Sequence, residues 1–369
     1  MRAETPLQLH RRLPGYAPTP LLELPPGLAP GAARTLVKLE SCRFGLPSFK
    51  VLGSAWAAYS LLCDRLGDGP TGPPDLADLG ERLRAKGRIP VLVTASDGNH
   101  GRAVAWTARQ LGIGAEVVVP QGTSRSRIEA IEREGAEVEV AGADYDQAVA
   151  RAAARSGGDR LLLQDTAVPG QAGAEELIVA GYSTIFSELG RQLRGSGAGL
   201  TVVVPVGVGS LALAALRYLR SRGGRPRLVT VEPTEAASLE RSLAEGRPVT
   251  LPGPQATSKV GLRCGSISAA AWPELALGVE EAVTVDDQPV DRALCELAGL
   301  GVEVGECGAA PLAALRRLGA GWSAAAGTIV LLATEGPTDA GRWRQLVGRD
   351  PSPPRTGAGE GTGAGGGPG

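Results

Sequence analysis

The sequence predicts an α/β fold of open parallel sheets with helices on both faces, and two observations predict it. Short apolar runs recur along the chain, and nearly every one is followed by a segment of helical length and pattern. Strands that read as continuous apolar runs are buried on both sides, which a parallel sheet with crossover helices provides.

The elements follow in order. The first 35 or so residues are Pro-rich and read as irregular. A strand at 35–40 leads through SCRFGLPSFK into a helix at 51–65, whose Trp56, Tyr59 and Leu62 fall on one face. Residues 66–89 are polar and rich in Pro and Gly around a short charged helix, the pattern of a surface excursion. Strands at 90–94, 116–120, 138–141 and 161–164 then alternate with helices at 100–111, 124–134 and 144–154. A helix at 175–193 precedes the strand 201–205, which runs into a helix opening at Ser210, and strands at 227–231, 281–285 and 328–332 complete the set. The tail 351–369 has almost no apolar side chains and reads as disordered.

Composition narrows the function classes. The net charge of −1 gives no reason to expect a nucleic-acid or anionic-membrane partner. Only His10 and His100 occur, which speaks against a His-rich metal site, and no metal is expected. Five cysteines, widely spread and without a CxxC pair, fit reduced thiols in a cytoplasmic protein. The N-terminus lacks the apolar core of a signal peptide. The uncharged stretch 200–216 is interrupted by Pro205, Gly207 and Gly209, so it reads as strand, glycine loop and helix, not as a membrane span.

Four loops at expected strand ends carry chemistry, since ligands in open α/β sheets collect there. Lys50 is one of four lysines and sits in an apolar context at a helix start, two features that lower an amine's pKa and leave it nucleophilic. It also has a plain alternative, a solvated helix-start lysine. Residues 94–101, TASDGNHG, pack glycines with Ser96, Asp97, Asn99 and His100, more polar residues than a helix cap needs. In VPVGVGSL, Gly207 and Gly209 expose backbone N–H groups at a helix N-terminus and Ser210 adds a hydroxyl, forming a phosphate cradle. A dinucleotide loop looks similar, and Glu232 ends the next strand at about the ribose-binding distance, although the third glycine is replaced by Ala212. Thr334, in ATEGPTD, offers a hydroxyl to a buried heteroatom, with a strand-to-helix turn as the plain alternative. An amine, a phosphate cradle, a polar loop and a hydroxyl for a ring nitrogen are together the set that pyridoxal phosphate (PLP) needs.

At these residues the chain resembles the fold-type II PLP enzymes, over about residues 15–347. It is most similar to the diaminopropionate ammonia-lyases. The segments YAPTPLLELP, LESCRFGLPSFK, TASDGNHGRAVAW, LLLQDTA, VGVGSLA, VGLRCG, GECGAAPLAAL and TEGPTDAGRW carry the likeness in the family's order. The resemblance implies a fold like that of the tryptophan synthase β chain: a large PLP-anchoring domain (1–59 and 169–350) and a small mobile domain (60–168), with a homodimer as the family expectation. It implies that Lys50 forms the Schiff base with PLP, that Asn99 faces the cofactor's phenolic oxygen, that Gly207, Val208, Gly209, Ser210 and Leu211 hold the phosphate, and that Thr334 contacts the pyridine nitrogen. Ser96, Gly98 and His100 become substrate contacts.

Asp97 stands where serine and threonine dehydratases carry a hydroxyl, and Asp165 matches a second acidic residue of the lyases. Two carboxylates suit a diamine substrate. The implied reaction is α,β-elimination of ammonia from 2,3-diaminopropionate or a related β-substituted amino acid, giving pyruvate and ammonia. The alternatives are β-replacement, a serine/threonine dehydratase reaction, and a non-catalytic PLP-fold subunit. Three departures bear on the substrate: Ser258-Lys259-Val260 brings a cation where an apolar pair is usual, Cys307 replaces a usual Ser, and the family's Glu-Gly-Tyr is not recognisable in VPGQAGAEEL. A side chain at Gly209 is expected to push the phosphate off the cradle.

Overall fold

The computed structural model describes residues 4–29, 31–67, 75–96, 98–166, 168, 173–193, 199–223, 225–253, 255–324 and 327–352. The Pro-rich start is not irregular throughout. Helix α1 (Pro6–Arg12) forms because Thr5 and Gln8 make a capping box and Pro6 opens the first turn. A three-residue strand, β1 (Leu21–Glu23), follows; it is too short to show a period, and it is held by antiparallel pairing to β2 (Arg34–Leu39).

The remaining strands are β3 (Val91–Ala95), β4 (Gly114–Val119), β5 (Glu137–Val140), β6 (Arg160–Leu162), β7 (Leu200–Pro205), β8 (Arg227–Pro233), β9 (Glu281–Val285) and β10 (Thr328–Ala333). One sheet has the order β1-β2-β10-β7-β8-β9 and is parallel except at β1. The other, β5-β4-β3-β6, is parallel throughout. All six residues of β7 are buried, as its Leu-Thr-Val-Val-Val-Pro run requires of a central strand. Among the described residues, no helix is long and apolar enough to cross a membrane.

Three helices position the site: α2 (Lys50–Leu66), α4 (Asn99–Leu111) and α7 (Ala174–Gln192); α3 (Leu76–Ala85) packs beside α4, and α5 (Arg125–Glu132) and α6 (Tyr145–Arg155) pack on the second sheet. Buried side chains of α2 pack on both α4 and α7, and the backbones of α2 and α7 nearly touch. A Cβ at Gly53 would lie 2.6 Å from the Tyr182 ring and 2.7 Å from Ile178, and one at Gly181 would meet the Leu52 carbonyl. Glycine at both positions is what lets the helices cross so closely.

Below the loop that leads to Lys50 lies a buried charge network. Lys38 Nζ donates to Glu188 Oε2 and to the Thr19 carbonyl, each at 2.8 Å. Arg43 forks between Glu40 Oε1 (2.8 Å) and Glu188 Oε1 (2.7 Å). Two cations and two anions cancel within the core, so the polar groups of the loop are fixed without stranding a charge; removing one member costs about 3–5 kcal/mol.

Candidate active site

A cavity of about 960 Å³ opens at the C-terminal ends of β2, β7 and β10 in one sheet and β3 in the other. The four loops singled out above converge on it. Lys50, Ser96, Gly98, Asn99, His100, Asp165, Gly207, Val208, Gly209, Ser210, Leu211 and Thr334 all line it. Asp97 lies outside the described residues, as do residues 169–172 of the VPGQAGAEEL departure.

Lys50 is the first residue of α2, and its Nζ is 2.6 Å from Asp165 Oδ2. Burial works against its ammonium, but the adjoining Asp165 carboxylate outweighs this and holds the pKa above the ordinary lysine value. The expectation of a lowered pKa is therefore reversed, because sequence gives no view of the acid brought in from 115 residues away. Burial likewise opposes ionisation of Asp165, yet the Lys50 charge keeps its pKa well below the usual carboxylate range.

His100 is buried; its Nε2 is 2.9 Å from the Leu163 carbonyl, so that nitrogen carries the proton. Nδ1 is left as a lone pair 4.0 Å from Asp165 Oδ2, and burial holds the ring's pKa below the ordinary histidine value. Ser96 Oγ accepts the Gly98 N–H at 3.0 Å, which folds the loop on itself. Asn99 Nδ2 donates to Glu335 Oε2 at 2.5 Å. Ser210 opens α8 (Ser210–Arg220), and its hydroxyl donates to the Asp165 carbonyl at 2.7 Å, tying the glycine loop to the acid.

Gly209 precedes α8 at φ +101, where only glycine is relaxed. A Cβ there would lie 3.1 Å from Leu275 and 3.3 Å from Ala271, against the protein rather than in the cradle. A side chain at this position strains the fold first, a correction to the expected displacement of phosphate.

Two competing readings end here. Glu232 accepts the N–H groups of Leu239 and Glu240, both at 2.8 Å, so its carboxylate caps α9 (Ser238–Glu245) and is not turned to a ribose. Lys259 is buried and its Nζ is paired with Asp287, which also accepts from Thr257 Oγ1 (2.8 Å) and the Ser258 N–H (2.9 Å). The cation expected near the site is thus spoken for, and it does not line the cavity.

Two cavity-lining groups and one acid close to Asp165 went unnoticed in the sequence. Glu335 lies buried beside Thr334. Tyr145 accepts from Gln164 Nε2 at 2.8 Å and sits 3.4 Å from Asp165 Oδ1. Glu175 is buried near Ser268 and Asp165, and burial pushes its carboxyl up to about 7. Glu335 belonged to a quoted motif; nothing in the spacing marks the other two.

The residues present fit PLP. Thr334 Oγ1 is buried in the cavity wall without a partner among the described residues, as a hydroxyl meant for a ligand's ring nitrogen would be. The glycine loop presents backbone N–H groups at the start of an eleven-residue helix, and Lys50 supplies the amine. A model of the "pyridoxal-phosphate dependent enzyme" family matches residues 12–335, and the chain belongs to that family. Its fold is that of the fold-type II members, its cofactor is PLP, and it is a carbon–nitrogen lyase. It is 36% identical over 290 residues to the diaminopropionate ammonia-lyase of Salmonella typhimurium, covering 76% of this chain and 72% of that protein. It is 33% identical over 382 residues to that of Escherichia coli, covering 94% and 91%. The holo structure of the E. coli enzyme superposes with a TM-score of 0.83 at 31% identity over 93% of this chain and 90% of that one; its apo form gives 0.77.

Proposed function

We propose that the enzyme eliminates ammonia from 2,3-diaminopropionate or a related β-substituted amino acid. The observation that carries this reading is the buried acid Asp165, 2.6 Å from Lys50, in the cavity of a chain whose relatives are diaminopropionate ammonia-lyases. When bound, the cofactor supplies an electron sink that acidifies the substrate's Cα–H. Lys50 anchors it, with Gly207 to Leu211 on its phosphate, Asn99 at its phenolic oxygen and Thr334 at its ring nitrogen.

Lys50 Nζ, set free as a neutral amine when the substrate's amino group takes its place, accepts the Cα proton. Asp165 faces the β-ammonium and keeps the proton on the nitrogen that must leave, with Asp97 as the second acid. The Ser96 hydroxyl and the backbone N–H of His100, at the start of α4 beside Gly98, receive the substrate carboxylate. One ammonia departs, and the released enamine takes up water to give pyruvate and a second ammonia. The domain made of 60–168 closes on that of 1–59 and 169–350 to exclude water; the enzyme works as a homodimer in the cytoplasm.

Incubating the holoenzyme with a panel of β-substituted alanines, with pyruvate and ammonia measured, tests the reading. Diaminopropionate should yield two ammonia per pyruvate at the highest kcat/KM. Asp97→Ser should cut that value roughly tenfold to several thousandfold, the equivalent of about 2–5 kcal/mol for a truncated charged pair, and should harm serine turnover much less. Preference for serine in the wild type would overturn the substrate assignment.

A further inference from the structure

Glu335, buried in the cavity wall, is held through both its backbone and its side chain. Its backbone bridges to Ser48, two residues before Lys50, and its carbonyl accepts the Gly305 N–H at 3.0 Å. The side chain is buried beside Gly305, where a Cβ would lie 3.1 Å from Glu335 Oε1 and crowd it. Two groups meet the carboxylate: the amide of Asn99 at 2.5 Å, and the buried thiol of Cys307, the residue that departs from the usual Ser. The contact with Asn99 joins the ends of β10 and the start of α4, elements of different sheets.

An asparagine amide has one face that donates and one that accepts, and nothing in its shape decides which way it turns. A carboxylate only accepts. We propose that Glu335 is a positioning residue: it holds the Asn99 amide with its NH2 group toward the carboxylate, so that the second N–H of the same nitrogen faces the cofactor's phenolic oxygen. With the amide reversed, its carbonyl oxygen would oppose an anionic phenolate. Cys307 strengthens the arrangement, because a thiol is a weaker donor than the usual hydroxyl and leaves more of the carboxylate to Asn99.

The inference rests on the placement of Asn99 at the phenolic oxygen, and the experiment separates the two. PLP affinity of the apoprotein, the pH dependence of the bound cofactor's visible absorbance, and apoprotein melting temperature are measured for wild type, Asn99→Ala, Glu335→Gln and the double variant. A misdirected charge-assisted hydrogen bond predicts a loss of PLP affinity of about tenfold to a hundredfold in each single variant. Each single variant should also shift the absorbance profile, and Glu335→Gln should add nothing once Asn99 is Ala. If Asn99→Ala leaves affinity and absorbance unchanged, the placement of Asn99 falls and the inference with it. If Asn99→Ala acts but Glu335→Gln does not, or if Glu335→Gln acts equally in the double variant, the positioning role alone is overturned. Should Glu335→Gln not fold, Glu335→Asp, which draws the carboxylate back by one methylene, carries the same expectation.

Discussion

Replacing Asp165 with Asn should enlarge the neutral, reactive fraction of Lys50, and the size of the change follows from the geometry. The two groups are 2.6 Å apart, with side-chain exposures of 6% for Asp165 and 21% for Lys50. Truncating one member of a hydrogen-bonded buried charge pair costs about 2–5 kcal/mol. Because Lys50 keeps some contact with solvent, the lower half of that range applies, ~2–3 kcal/mol. The lysine's pKa should fall accordingly, and burial, no longer opposed, pulls the same way. At pH 7 both forms are mostly protonated, so the neutral fraction should rise roughly 30- to 100-fold.

The sparse lysines make this measurable in the apoprotein. Lys38 and Lys259 are buried, whereas Lys86 is exposed and serves as an internal reference. Brief acetylation at pH 7 followed by mass spectrometry should show the Lys50-to-Lys86 labelling ratio rising by that factor in Asp165→Asn. A ratio that stays within threefold of wild type, or falls, at unchanged melting temperature would refute the account of how Asp165 controls the amine.

Three further outcomes are expected. Borohydride treatment of the yellow holoenzyme should fix PLP on the peptide containing Lys50, and Lys50→Ala should bind PLP without covalent attachment or turnover; trapping on Lys259 would contradict its pairing with Asp287. Gly209→Ala should lower apoprotein stability by about 1–3 kcal/mol, because an L side chain is strained at φ +101, so loss of PLP affinity with an unchanged melting temperature would count against it. Glu232 is buried and its carboxyl is raised to about 7. Folding therefore favours its protonated form: this contribution is present below about pH 4.5 and is lost as pH rises through 7, roughly 3 kcal/mol in all. The apoprotein melting temperature should fall between pH 5 and pH 8, and Glu232→Gln should flatten that fall.

The fold was legible wherever burial writes a period into the chain. Most of the parallel strands, and the helices from α4 to α8, are apolar runs and amphipathic stretches, and they formed within a few residues of expectation. What escaped was held by pairing or capping: β1 exists because β2 lies beside it, and α1 because Thr5 and Gln8 close its first turn. The site was legible as loops but not as electrostatics. Glycines and polar residues in TASDGNHG and VGVGSL announce a ligand, whereas the pKa of Lys50 depends on Asp165, and the fate of Lys259 on Asp287, partners that only folding brings near. Gly209 shows the same limit from another side. Its identity is readable, but the direction in which a β-carbon would point is not.

The close crossing of α2 and α7 has a mechanical consequence. Lys50 begins α2, and Gly53, one turn further on, rests against Tyr182 and Ile178 with no room for even one more carbon. The reactive amine is therefore mounted on a bearing whose clearance is set by missing atoms. An added methyl at Gly53, 2.6 Å from the buried Tyr182 ring, has to displace that ring or part the two helices by about 1 Å to reach ordinary van der Waals separation. A displacement of that size in a reacting group is worth on the order of a hundredfold in rate. The tolerances of the chemistry are thus machined into a helix contact outside the cavity lining, and variation there would change turnover while leaving every residue of the cavity in name the same.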